Sequence, residues 1–260
     1  MWAILRRDLL TAIRYRTGFA IGAVGALVEM AAFYFLARAV GPGFRPDGIE
    51  YYPFLLVGTG LYAFLVMGIS SFLSTVQEAQ QNGTLEVLVT TATPPAALVF
   101  LSALSSFAGK IVTLIFYVVG GLLLFRVPVY RPNLAGCLVI FVLSLGIAAS
   151  IGVLAAALQL SIQKGSAIVW LLGSGVWFLT GTMFPVAALP SVLRGVSKLI
   201  PLTYALDGMR LALLRGAPFS ILNREIAILG VFCAVMLPLS LLFFSYALRQ
   251  ARRNGTLSFY

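Results

Sequence analysis

Apolar runs long enough to cross a bilayer dominate this chain and restrict what it can fold into. A hydrocarbon core of roughly 30 Å needs about 20 helical residues, because each residue of helix rises about 1.5 Å. Six stretches reach that length: 18–37, 53–76, 98–124, 133–158, 165–184 and 226–248. The last five contain one charge, Lys110, and the first contains only Glu29. Of the 260 residues, 60% are hydrophobic and 10% charged, against about 25% charged in an ordinary soluble domain. A chain this size forms one or two domains whose surfaces must still be covered, so lipid is the solvent for much of that surface. The expected fold is an all-α polytopic membrane protein, a single transmembrane domain over residues 1–260.

Several function classes fall away on composition. Histidine is absent, which removes the central residue of Ser-His catalysis and of the helical two-histidine zinc motif. The two cysteines, Cys137 and Cys233, lie in apolar runs, where a thiol packs as a small hydrophobe, and they show no metal or disulfide spacing. The net charge of +10 comes from arginines clustered beside apolar segments, as membrane-flanking charges are, rather than from a dense basic face. No metal and no nucleic-acid partner are expected.

Basic residues set the orientation. Arg6, Arg7, Arg14 and Arg16 precede the first span, and Arg249, Arg252 and Arg253 follow the last. Both termini are therefore expected in the cytoplasm, which requires an even number of crossings. Lys164 adds to the inside, while Arg38, Arg45, Arg126 and Arg131 fall outside. Residues 1–17 read as an interfacial helix, with Trp2, Leu5, Leu9, Ala12 and Ile13 at helical spacing and the arginines free to face headgroups or a partner. Between the last two spans, residues 185–224 are apolar but broken by Pro185, Pro190, Pro201 and Pro218. Helices over 190–200 and 202–214 would be about 16 and 20 Å long, too short to cross. A re-entrant extracytoplasmic hairpin satisfies both length and charge parity, and it is expected to plug an outer mouth.

The internal cytoplasmic loop, 77–95, carries no Lys or Arg and two acids, Glu78 and Glu86. A plain membrane tether on this side would be basic, so the loop faces something other than anionic lipid. Gly83 can end one helix and Thr84 cap the next, whose Leu85, Leu88 and Val89 form a short apolar stripe before Pro94 and Pro95.

These parts together resemble the permease subunits of ABC transporters of the type-two exporter class. The resemblance covers the whole chain. It rests on the basic N-terminal helix, on Gln77-Glu78 with Gly83-Thr84-Leu85-Glu86, on six spans, and on Gly181-Thr182-Met183-Phe184-Pro185 leading to Pro201-Leu202-Thr203-Tyr204-Ala205-Leu206-Asp207-Gly208-Met209-Arg210. It implies that Gln77, Glu78, Gly83, Thr84, Leu85, Glu86 and Leu88 belong to a coupling helix that docks on a separate ABC ATPase, two copies per complex. It also implies a second copy of this permease or a related one, in a cell membrane. ATP and magnesium would sit on the partner subunit, because this chain has no Gly-x-x-x-x-Gly-Lys-Ser/Thr. The chain itself needs no cofactor and is not an enzyme on this reading.

The substrate path is expected at the junction of the second and fifth spans of two copies. Phe64, Phe72, Trp177, Phe178 and Met183 offer apolar surface there, with Ser70 and Thr180 among them to orient polar groups. That mixture suits an amphipathic or hydrophobic molecule such as a drug, a lipid or a lipid-linked glycan. Glu29, at mid-span where a carboxylate costs roughly 2.5 to 3.5 kcal/mol to insert, either finds a structural partner such as Lys110, Ser or backbone, or lines the path. Asp207 and Arg210 read as a local pair in the hairpin. Gly58, Gly60, Gly68, Gly173, Gly175 and Gly181 mark close approaches between helices. A secondary transporter or channel would also be polytopic, but should show an inverted repeat, and the two three-span halves show no convincing similarity. An intramembrane enzyme would have only Glu29 and Lys110 as acid-base candidates.

Overall fold

The computed structural model of the chain describes residues 16–82, 111, 114–125, 127, 129, 131–162 and 164–254. Among them there is no strand. Helix α1 (Arg16–Val40) leads through a short 3-10 turn, Pro46–Gly48, into α2 (Tyr51–Gln81), and α3 (Leu114–Leu124) precedes α4 (Leu134–Ile162). Then come α5 (Ser166–Leu179), the short α6 (Ser191–Ser197) and α7 (Pro201–Leu214), and the long α8 (Phe219–Asn254). Three of these, Tyr51–Gln81, Leu134–Ile162 and the Phe219–Ala251 part of α8, are long and apolar enough to cross a membrane. The interfacial helix expected over 1–17 lies outside the described residues except for its last two, which belong to α1, and most of 98–113 also lies outside them.

Sequence explains where these helices start and stop. Pro53 sits in the first turn of α2, where its missing N–H has no intrahelical partner to lose, and α7 begins on Pro201 for the same reason. Helix α5 is shorter than the expected span. It stops at Leu179 because Gly181, at φ +77°, turns the chain, so the helix is only about 21 Å long rather than continuing to Phe184. Its middle, Leu172–Val176, widens into a π turn that includes Gly173 and Gly175.

Side-chain pairings give the directions of the helices. Met30 of α1 packs with Tyr52 and Leu56, and Phe33 and Ala37 pack with Tyr51 and Phe54, so α1 runs antiparallel to α2. Tyr117 meets Thr59 and Gly121 meets Leu56 and Tyr52, so α3 is also antiparallel to it. Gly165 lies against Leu73, and the Tyr62 hydroxyl donates to the Leu172 carbonyl at 2.6 Å, which makes α5 the third antiparallel helix. Phe64 stacks on Phe141 and Phe72 fits over Gly152, so α4 runs with α2. Gly136 meets Leu222 and Gly146 meets Cys233, so α8 runs with α4. These directions put Arg16 and Asn254 at the end of the bundle that carries Gln81. Helix α2 is the centre, since 78% of its most apolar stretch is buried inside the protein against 11% for α8.

The segment between α5 and α8 stays at the other end, beside Tyr51. Asn133 fastens it to the start of α4: its side-chain oxygen accepts the Gly136 N–H at 2.9 Å, while its backbone N–H donates to the Ala212 carbonyl at 2.9 Å and its side-chain amide to the Ala217 carbonyl at 2.8 Å. Arg194 closes the turn into α6 by donating to the carbonyls of Ala187 and Leu189, at 2.6 and 3.0 Å.

Candidate functional site

At the Tyr51 end, one cation organises three elements. Arg210 on α7 is 2% exposed, deep enough that an uncompensated charge would be prohibitive. Its Nε donates to the Phe54 carbonyl on α2 at 3.2 Å, Nη1 to Gly181 at 2.9 Å and Nη2 to Thr182 at 2.8 Å. Asp207, one turn earlier, lies 3.7 Å from Nη1, and the guanidinium carbon stands 3.4 Å above the centre of the Phe54 ring. The carbonyls of Gly181 and Thr182 follow the end of α5, where helix carbonyls lack internal partners and a cation is electrostatically favoured.

The surrounding sequence is shaped to admit this group. A Cβ on Gly58 would lie 2.8 Å from the Thr182 carbonyl and would overlap the guanidinium. Gly181 supplies the left-handed turn that aims the two carbonyls inward. Burial brings Arg210 down to about 10, with Asp207 holding it up, so it remains a cation at neutral pH. Burial pushes the Asp207 carboxyl up to about 6 against the pull of Arg210, although 42% of its side chain is still exposed. The local pair expected from the sequence is present, but it is the weaker part of the arrangement. The three carbonyls were not foreseeable from spacing; the legible sign was an arginine beside Asp207 in a short, mostly apolar helix, with Gly58 and Gly181 upstream.

A second polar chain links α1, α2 and α3. Glu29 hydrogen-bonds the Tyr117 hydroxyl, which is 3.2 Å from the Thr59 hydroxyl, and Thr59 donates to the Leu55 carbonyl at 2.7 Å. Glu29 thus has a structural partner that sequence reasoning missed, and its side chain is exposed on the outside of the chain. Lys110 lies outside the described residues. The Tyr117 ring fits against α2 only because Gly60 has no side chain, with the ring 2.7 Å from where a Cβ would be.

The residues expected along the path do not share one surface. Phe64 is 3% exposed and stacked on Phe141 at 5.5 Å, and Phe72 is fully buried against Gly152. Thr180 is also fully buried, its hydroxyl donating to Trp177 at 2.9 Å beside the Thr182 hydroxyl. All three pack inside the chain's own core. Within this chain, α4 and the turn after α5 cover them. Trp177 is half-buried, edge-on to Phe178 at 4.8 Å, and Phe178 is 47% exposed. Met183 is half-buried beside Phe54 and Leu55.

Ser70 is half-buried, and its hydroxyl donates to Met67 at 2.8 Å. Ser71, Ser74 and Thr75 likewise donate to carbonyls on their own helix. With their protons committed, these four hydroxyls offer a ligand lone pairs rather than donors. On α5, Trp170 and Leu171 are exposed, and among the described residues nothing lies within 4 Å of where a side chain at Gly173 or Gly175 would begin. Of the expected coupling residues, Gln77 and Glu78 occupy the last turns of α2, half-buried and exposed respectively, while Gly83, Thr84, Leu85, Glu86 and Leu88 lie outside the described residues. No cluster of three metal-ligating side chains occurs among the described residues.

An all-helical bundle with three apolar helices of membrane-crossing length, and with broad apolar faces left uncovered, defines a multi-pass integral membrane protein. Within that class the chain belongs to the ABC-2 family of transporter proteins, whose sequence pattern matches residues 44–242, from just before α2 to within α8. Members of that family are the membrane components of ABC transporters and are not themselves catalytic. No curated protein matches the chain.

Proposed function

We propose that this permease is the membrane half of an ATP-driven exporter that moves an amphipathic or hydrophobic molecule, such as a drug, a lipid or a lipid-linked glycan, by alternating access. The observation that carries the cargo class is the uncovered face of α5, where Trp170, Leu171 and Phe178 stand beside two open glycines and present apolar surface with no charge. A second permease copy, the same or related, completes the path against this face, and lipid surrounds the rest. Two ABC ATPase subunits bind ATP and magnesium on the cytoplasmic side. They grip the coupling loop 77–95, whose basic-free sequence suits a protein groove better than anionic lipid. The Gln81 end of the bundle, with both termini, lies in the cytoplasm, and the hairpin of α6 and α7 closes the outer mouth.

The reading is tested on the permease reconstituted in vesicles with its ATPase. Amphipathic compounds should stimulate hydrolysis, Trp177→Ala should change their order of potency several-fold without loss of assembly, and Leu85→Asp should abolish stimulation while the permease stays folded. An unchanged response in both variants would overturn it.

A further inference from the structure

We propose that Arg210 is a positioning residue that ties the motion of α2 to the hairpin; this rests on the ATP-driven reading above. Helix α2 runs 31 residues without a break, from Gln81, where the coupling loop begins, to Tyr51 at the hairpin end. A displacement of one end therefore reaches the other with little loss. The apolar side chains between α2 and α7, among them Leu61, Leu65, Leu202 and Leu206, pack without directional preference and can slide.

The guanidinium differs, because its planar fork fixes the directions of its donors. All three of its hydrogen bonds end on backbone carbonyls, of Phe54, Gly181 and Thr182, so no rotamer change in a neighbour can absorb movement. The same group therefore joins the hairpin end of α2, the turn that ends α5 and the re-entrant helix α7. When the loop pulls on α2, α7 and the 181–182 turn travel with Phe54.

The test uses the complete permease with its ATPase in lipid nanodiscs, with the native Cys137 and Cys233 changed to Ala and spin labels on Val192→Cys in α6 and Leu138→Cys in α4, both exposed positions. The distance between labels is measured without nucleotide and after trapping with ATP, magnesium and vanadate. Wild type should shift on trapping. Arg210→Lys keeps the charge but not the fork, and Gly58→Ala keeps the arginine but displaces it. Each should hydrolyse ATP within about twofold of wild type, lose the nucleotide-dependent shift, and transport roughly 3- to 30-fold less per ATP.

A shift retained in both variants would overturn the proposal and leave the transport reading intact. Absence of any shift in wild type would overturn the ATP-driven reading and this proposal with it. Failure of both variants to fold would make Arg210 a structural strut only and would also overturn it.

Discussion

Gly58 and Gly173 are the same residue type on two helices and do opposite work. A side chain at Gly58 would collide with Arg210 and the Thr182 carbonyl, whereas among the described residues nothing lies within 4 Å of one at Gly173. Gly58→Ala should therefore destabilise the purified protein by about 1–3 kcal/mol through overpacking. Gly173→Ala should be neutral or raise stability by up to about 1 kcal/mol, because alanine restricts the unfolded chain. Thermal unfolding in one detergent checks the pair, and equal effects would contradict the packing described. Asp207 adds a pH dependence. Its folded-state carboxyl is raised to about 6 from an ordinary 3.8, so the folded protein favours the protonated form. The resulting cost is absent below about pH 4, grows as pH rises, and is complete above about 6. Asp207→Asn should raise the unfolding temperature at pH 7.5 and change it little at pH 4. A gain of the same size at both values would show that desolvation does not outweigh Arg210.

Among the elements, α2 and α5 differ most from what length alone suggests. Helix α2 extends beyond the expected span at its Gln81 end, so Gln77 and Glu78 are its last turns rather than loop. Helix α5 falls short, because the glycine at 181 ends it and the chain turns back toward Arg210. The segment that follows holds helices of only 7 and 14 residues, neither able to cross a bilayer. Single cysteines at Gln81 and Arg253 should thus react with an impermeant reagent from one side of the membrane, and one at Ser220 from the other. Labelling of Ser220 from the same side as Gln81 would mean that the hairpin crosses.

At the scale of the molecule, α2, α4 and α8 run one way and α1, α3 and α5 the other, with α2 at the centre. The consequence is an uneven surface. Helix α2 is enclosed, while α1, α5 and α8 expose Phe35, Trp170, Val231 and Leu242. Such faces are stable only against lipid or another chain. Phe64 and Phe72 belong to the enclosed helix, whereas Trp170 and Phe178 lie on the uncovered face of α5.

Much of this was legible from residue order alone. The period and length of the apolar runs set an all-helical membrane protein, since lipid leaves the backbone no other way to satisfy its own polar groups. The prolines at 190 and 201 marked two helices too short to span, and the loop motif with the hairpin string pointed to the family. The partners of buried groups were not legible, because they come from distant positions: Arg210 finds carbonyls 28, 29 and 156 residues away, and Thr59 meets Tyr117 across 58. Which aromatic side chains face inward was equally a tertiary matter. A helix hydrophobic all round has no pattern that separates the face toward protein from the face toward lipid, so only packing decided that Phe72 is core and Phe178 is surface.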